Sequence, residues 1–324
     1  MNPWLEWGIP VIEWLQSLGE WLVVPMKFFT YLGNQEFYIL IMPTILWCFD
    51  AVLGFRIGLL LLTSGSVNNI LKVVFGFPRP YWVSTEIKAF GWRPTFGLPS
   101  GHAQNAVAIW GGLAVWLRKR WLTVVCVLLI FFISISRLYL GVHFPTDTFG
   151  GWLVGAILLV LFVKLEKPIR ERISTMKAGI QIAIALLVSL AFIGVGLGVN
   201  HLAVQRSIPE AWRETASLAQ PAGLVDPLAL DDLITASGSL FGLAAGGVLL
   251  FRWGGFSARG SWGQRAQRYF AGMLGLLVIY VGLKLLFPSG HGVLAYGLRY
   301  LRFAALAFWA AYVAPRLFVR WGMA

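Results

Sequence analysis

Ser136-Arg137-Leu138-Tyr139-Leu140-Gly141-Val142-His143-Phe144-Pro145-Thr146-Asp147 places an arginine, a histidine and a carboxylate between two apolar runs, Leu122 to Ile135 and Phe149 to Val163. Polar groups are costly to hold at such a junction. Arg137 is always cationic, and its planar fork matches a tetrahedral oxyanion. Asp147 follows His143 by four residues, one helical turn, close enough to fix the imidazole tautomer. That combination outlines a phosphate site with a histidine nucleophile. A satisfied interfacial cluster of three polar residues is the alternative that this stretch alone leaves open.

Two further stretches bear on the choice. Lys72 lies near the end of an apolar run that leads into Phe77-Pro78-Arg79-Pro80-Tyr81-Trp82. A lysine about a turn inside a membrane needs an anion or a route to the interface, and snorkelling would serve it equally. Arg79 is presented rigidly by the prolines on either side, as an exposed loop arginine also could be. Pro99-Ser100-Gly101-His102 opens another apolar run. Ser100 and Gly101 would sit at a helix N-terminus, whose free N–H groups and dipole attract anions, with His102 beside whatever binds. A serine cap with an incidental histidine is the plain alternative.

The elements that position these residues follow from composition. With 58% hydrophobic and 12% charged residues and a mean hydropathy of +0.74, the chain reads as an all-α polytopic membrane bundle. Nine spans are predicted, at about 36–53, 55–76, 100–117, 121–139, 148–165, 178–199, 234–252, 268–286 and 296–314. Trp7, Trp14 and Trp21 recur every seven residues beside Glu6, Glu13 and Glu20, which predicts an interfacial amphipathic segment over 1–35, interrupted at Pro10. Residues 36–177 then form a five-span core and 178–324 a four-span extension. Gly151/Gly155 and Gly242/Gly246 have the spacing that lets membrane helices approach closely.

Threading the spans gives one side of the membrane fifteen basic residues against three acidic, while the other side balances. By the positive-inside rule the first side is cytoplasmic. The N-terminus is then outside, the C-terminus inside, and all three polar stretches share the outer face, as expected for a bacterial inner-membrane protein with a periplasmic site. The net charge of +12 is explained by these loops, so no nucleic-acid partner is implied. Cys48 and Cys126 lie in apolar runs, without disulfide or metal spacing. The polar 200–233 loop is long enough to fold over something.

Together, Lys72-x6-Arg79-Pro80, Pro99-Ser100-Gly101-His102 and Ser136-Arg137-x5-His143-x3-Asp147 resemble the three-part signature of the type 2 phosphatidic-acid phosphatase superfamily, over about residues 50–165. Phe77-x-Arg79-Pro80-Tyr81-Trp82 and the nine-span layout are also similar to its glucose-6-phosphatase branch. The resemblance implies a metal-independent, cofactor-free phosphatase in which His143 attacks phosphorus, Asp147 orients its ring and His102 protonates the leaving oxygen. Lys72, Arg79, Ser100, Gly101 and Arg137 then bind the nonbridging oxygens. A pocket at the bilayer surface favours a lipid phosphate; a soluble sugar phosphate and a transporter with a vestigial site are the alternatives. No oligomeric state follows. Pro288-Ser289-Gly290-His291 repeats the second motif without partners and reads as a decoy, and His201 reads as loop surface.

Overall fold

The computed structural model describes residues 3–205, 208–220, 223, 225–288 and 290–324, and every regular element among them is helical. The N-terminal segment folds as α1 (Pro3–Glu6), α2 (Gly8–Ser17), a 3-10 turn at Glu20–Leu22 and α3 (Val23–Tyr31). Pro10 does not interrupt it. Pro10 lies in the first turn of α2, where a missing N–H costs no helical bond, and the break falls instead at Gly19, with φ +110°.

Next come α4 (Gln35–Thr44), a π-turn at Ile45–Phe49 and α5 (Ala51–Phe75). The expected break near Gly54 falls at Asp50, whose carboxylate accepts the Leu53 N–H at 2.9 Å and so starts α5. α6 (Pro80–Val83) is a single turn opened by its proline. α7 (Gly101–Ala106) runs through a π-turn at Val107–Gly111 into α8 (Gly112–Leu117). The remaining helices are α9 (Arg120–Tyr139), α10 (Pro145–Ser174), α11 (Ala178–Val204), α12 (Glu210–Ala219), α13 (Asp231–Arg252), α14 (Trp262–Leu286), α15 (Val293–Phe308) and α16 (Ala314–Arg320), the last two joined by a π-turn.

Among the described residues, seven helical runs are long and apolar enough to cross a bilayer: Ala51–Val83, α9, α10, α11, α13, α14 and Val293–Arg320. The two other stretches expected to span, 36–53 and 100–117, are helical over Gln35–Phe49 and 101–117 but shorter. Only 11% of the apolar window of α11 and 6% of that of α14 is buried within the chain, as suits helices surrounded by lipid.

Two compact units divide the chain. The first takes the described residues of Met1–Phe37, Val67–Val160 and Gly196–Ala229. In it the N-terminal segment packs on α9, with Phe29 stacked on Phe132 at 4.8 Å and Leu5, Ile12, Leu15 and Met26 buried. Gln16 donates to the carbonyls of Lys88 (2.8 Å) and Tyr139 (2.9 Å), tying α2 both to the segment after α6 and to the third polar stretch. The 200–233 segment does fold over something. α12 covers α6, Trp212 meeting Trp82 at 6.3 Å, with Ala216 buried in the core that holds Tyr81, Phe96 and Tyr139. His201 is exposed on the last turn of α11, not in a loop.

Gly151 and Gly155 let α10 lie directly on α7: a Cβ on Gly151 would stand 2.6 Å from the Ser100 carbonyl oxygen, and one on Gly155 2.7 Å from that of Gln104. The second unit comprises Tyr38–Ser66, Leu161–Val195 and the described residues of Leu230–Ala324. Within it Gly242 and Gly246 do the same for α13, abutting the Ala304 backbone and Ala311. The buried Trp47 donates to the Ala310 carbonyl at 2.8 Å, and Arg268, fully buried, holds the 257–259 loop through three carbonyls.

The Gly151 contact can be tested against a glycine with open surroundings. Gly151→Ala is expected to lower stability by about 1–3 kcal/mol through overpacking, whereas Gly198→Ala, with nothing within 4 Å, should leave it unchanged or raise it by up to about 1 kcal/mol. Thermal unfolding of both in detergent is the measurement.

Candidate active site

The residues singled out for chemistry all belong to the first unit, and hydrogen bonds bring the three stretches together. Arg79, flanked by prolines, takes an extended backbone (φ −93°, ψ 159°) just ahead of α6. Its guanidinium, 1% exposed, donates to the carbonyls of Thr95, Phe96 (3.1 Å) and Val142 (2.8 Å). Lys72, in the last turn of α5, donates to the same Phe96 carbonyl at 2.7 Å. Residues 95–96 thus hold two cations of the first stretch side by side. Gly97 must be glycine: an added Cβ would lie 2.8 Å from both the Asp147 carboxylate and the Pro78 carbonyl oxygen.

His143 sits in the turn between α9 and α10. Its Nδ1 is 3.1 Å from Asp147 Oδ2, which also accepts the Phe144 N–H at 2.9 Å, and its Nε2 is 3.2 Å from Arg79 Nη1. A guanidinium only donates, so Nε2 carries the lone pair and Nδ1 the proton. This is the tautomer a nucleophilic imidazole requires, with its free electron pair facing a cation. The ring is 2% exposed. Burial first, then the positive charges of Arg79, Lys72 and Arg137 and the nearby His102 ring, hold it well below the ordinary histidine value of 6.5, and hence neutral.

The second stretch joins the third through the Ser100 N–H, which donates to the Asp147 carbonyl at 2.8 Å. Gly101 and His102 start α7 just beyond, and Arg137, in the last turn of α9, is buried. The Ser100 hydroxyl and the Arg137 Nε–H are buried without a hydrogen-bond partner. All eight predicted residues, Lys72, Arg79, Ser100, Gly101, His102, Arg137, His143 and Asp147, therefore lie in one unit. The set holds three cations and a single carboxylate, and a tetrahedral dianion matches that balance and the two free donors. His291 belongs to the other unit, largely exposed, 3.5 Å from Asp231; Ser289 lies outside the described residues.

Several supporting residues escaped the sequence reading. Asn34 Oδ1 lies 2.8 Å from His102 Nε2, and Thr30 accepts from Arg137, both from the end of the segment predicted to lie on the membrane surface. Thr95 joins Lys72 and Arg79. Asn68 donates to Gln104 at 2.8 Å and to the Pro99 carbonyl at 3.2 Å, bolting α5 to α7 beneath Ser100. Asn68 and Gln104 were findable, as amides inside apolar runs. Thr30 and Asn34 carry no such mark.

The family model described as PAP2 superfamily matches residues 53–171, and the one described as PAP2 superfamily phosphatase, transmembrane extension, matches residues 234–324. Phosphatidylglycerophosphatase B of Bacillus subtilis is 28% identical over 167 residues, 47% of this chain and 78% of that protein. Human sphingosine-1-phosphate phosphatase 2 is 31% identical over 144 residues, 42% of this chain and 35% of that one. Lipid A 4'-phosphatase of Bacteroides thetaiotaomicron is 43% identical over 83 residues, 22% of this chain and 35% of that one. The chain spans about a third of the length of the last two.

A neutral His143 gives a pH prediction. Because its lowered value means that it protonates only below pH 6.5, its loss as a base should appear on the acid side of that value in kcat/KM for phosphate release. Arg79→Gln removes the charge that acts most strongly on the ring and should move this limb toward higher pH, beyond any loss of rate. Profiles of both proteins on the same substrate cancel the ionisation of the substrate itself; superimposable limbs would exclude His143 as the titrating group.

Proposed function

This chain carries a PAP2 superfamily domain and the superfamily's transmembrane extension, and on that premise we propose that it is an integral-membrane phosphoric ester hydrolase acting on a lipid phosphomonoester or pyrophosphate. One observation carries the mechanism: the lone-pair nitrogen of His143 faces Arg79, within the cation cluster that would hold phosphate. His143 Nε2 attacks phosphorus in line. The N–P bond forms as the P–O bond to the lipid breaks, and His102 gives its proton to the departing oxygen. Asp147 stabilises the imidazolium that results. His102 then takes a proton from water, the water oxygen attacks phosphorus, the N–P bond breaks and inorganic phosphate leaves.

Lys72, Arg79 and Arg137, with the Ser100 hydroxyl and the Gly101 N–H, hold the equatorial oxygens throughout. Fixed donors act most strongly where water is excluded, and three cations supply the charge that a metal ion would otherwise bring. The two buried donors of Ser100 and Arg137 support this reading, since leaving such groups unsatisfied costs about 1–3 kcal/mol each.

A lipid substrate is supported by the depth of the site. Lys72 and Arg137 end spanning helices, and Asp147 begins one, so the charges cluster at helix ends, where a head group sits while its tail stays among helices. The relatives are named for lipid substrates as well. The charge bias of the loops, threaded over nine spans, supports a site on the extracytoplasmic side, with the N-terminus outside and the C-terminus inside. In this reading residues 36–177 are the phosphatase core and 178–324 its extension.

Phosphate release from phosphatidate, phosphatidylglycerophosphate, a sphingoid phosphate and glucose 6-phosphate, in excess chelator, tests the proposal. Lipid substrates should be cleaved, vanadate should inhibit, and His143→Ala should lower kcat by at least about 10³-fold with an unchanged Tm. Full activity in that variant would remove the nucleophile. Cleavage of the sugar phosphate alone would overturn the lipid assignment.

A further inference from the structure

A general acid must present its proton in one direction, and a histidine ring free to rotate does not. The ring of His102 is held from outside its own helix. Its Nε2 lies 2.8 Å from Asn34 Oδ1, and Gly33 leaves no room beside the ring edge, since a Cβ there would stand 2.7 Å from Cδ2. The amide orientation follows from a third group: Arg93 Nη2 approaches the same Asn34 atom at 3.3 Å. Arg93 can only donate, so that atom is the oxygen, and His102 Nε2 must carry a hydrogen.

Residues 33 and 34 are themselves held by a tight turn at the end of α3. Gly33 N–H donates to Thr30 O, and Asn34 N–H to Tyr31 O, each at 3.0 Å. The same turn supplies the Thr30 hydroxyl to Arg137. Both contacts come from chain that precedes the matched domain, which begins at residue 53. Nothing in the three motifs calls for them.

We propose that Asn34 is the positioning residue for His102: its amide oxygen accepts the Nε2 proton, fixes the ring and favours the imidazolium that serves the leaving group. This rests on the role given to His102 above. The step served moves one proton from the imidazolium to the departing oxygen as the P–O bond breaks, and takes one back from water as the N–P bond breaks. Arg137, Arg93, Lys72 and Arg79 are the charged groups around the ring. Burial of the ring and all four cations oppose a positive charge on it, so an oriented acceptor is what the imidazolium needs.

Leaving-group dependence in the purified full chain tests this. A lipid alkyl phosphate needs its departing oxygen protonated; p-nitrophenyl phosphate does not. Asn34→Ala is expected to lower kcat about 10- to 100-fold on the lipid, part of the roughly 10²- to 10⁴-fold that a placed acid supplies, and less than about threefold on the aryl ester. KM and Tm should hold, and the basic limb of the kcat profile should move to lower pH. Asn34→Asp, which keeps an acceptor and adds charge, should recover most lipid activity and move that limb upward. In the Asn34→Ala, His102→Ala double variant the loss should be no greater than in His102→Ala alone. Equal losses on both substrates, or no loss on the lipid, would overturn the assignment. If His102→Ala itself treats the two substrates alike, the acid role of His102 fails, which the single variant separates from a failure of Asn34.

Discussion

A guanidinium buried at the end of a membrane bundle is tolerable only if fixed acceptors surround it, and Arg79 shows how those acceptors organise the site. Its partners come from two distant parts of the chain: Thr95 and Phe96 on one side, Val142 on the other. Satisfying one cation therefore closes the 84–100 segment against the α9–α10 turn. His143 is carried into place by the same turn, with its electron pair toward the charge. Lys72 shares the Phe96 carbonyl, so the need to solvate two cations with backbone oxygens also fixes their spacing. The geometry of the site is thus a by-product of hiding charge from lipid.

Where the sequence could be read, it was because the constraint was local. Apolar length marked the helices, and the i, i+4 relation of His143 to Asp147 survived intact as a hydrogen bond at 3.1 Å. The small-residue pairs Gly151/Gly155 and Gly242/Gly246 named two close packings because a missing side chain allows only one kind of neighbour. Boundaries set by competing local forces were less legible. The boundary expected near residue 54 falls at Asp50, because its carboxylate caps the helix that follows.

The N-terminal segment was the least legible part. Its aromatic and acidic repeat describes only the outward surface, where Trp14 and Trp21 are indeed exposed. The inward surface, with Ile12, Leu15 and Met26 in the core and Thr30 and Asn34 at the site, depends on which part of the chain it meets. No pattern within residues 1–35 encodes that meeting. The fold of α12 over α6 is similar: an amphipathic turn of helix announces that it will be covered, and the Trp82–Trp212 contact decides by what.

The tie between α7 and α10 has a mechanical consequence. Ser100 lends its N–H to the Asp147 carbonyl, and two side-chain-free positions further along α10 keep the backbones in register. A slide of one helix along the other would disengage the carboxylate behind His143 and the hydroxyl of Ser100 in the same movement. The two glycines, which touch no reactant, are therefore as exacting a requirement for this site as the histidines they align.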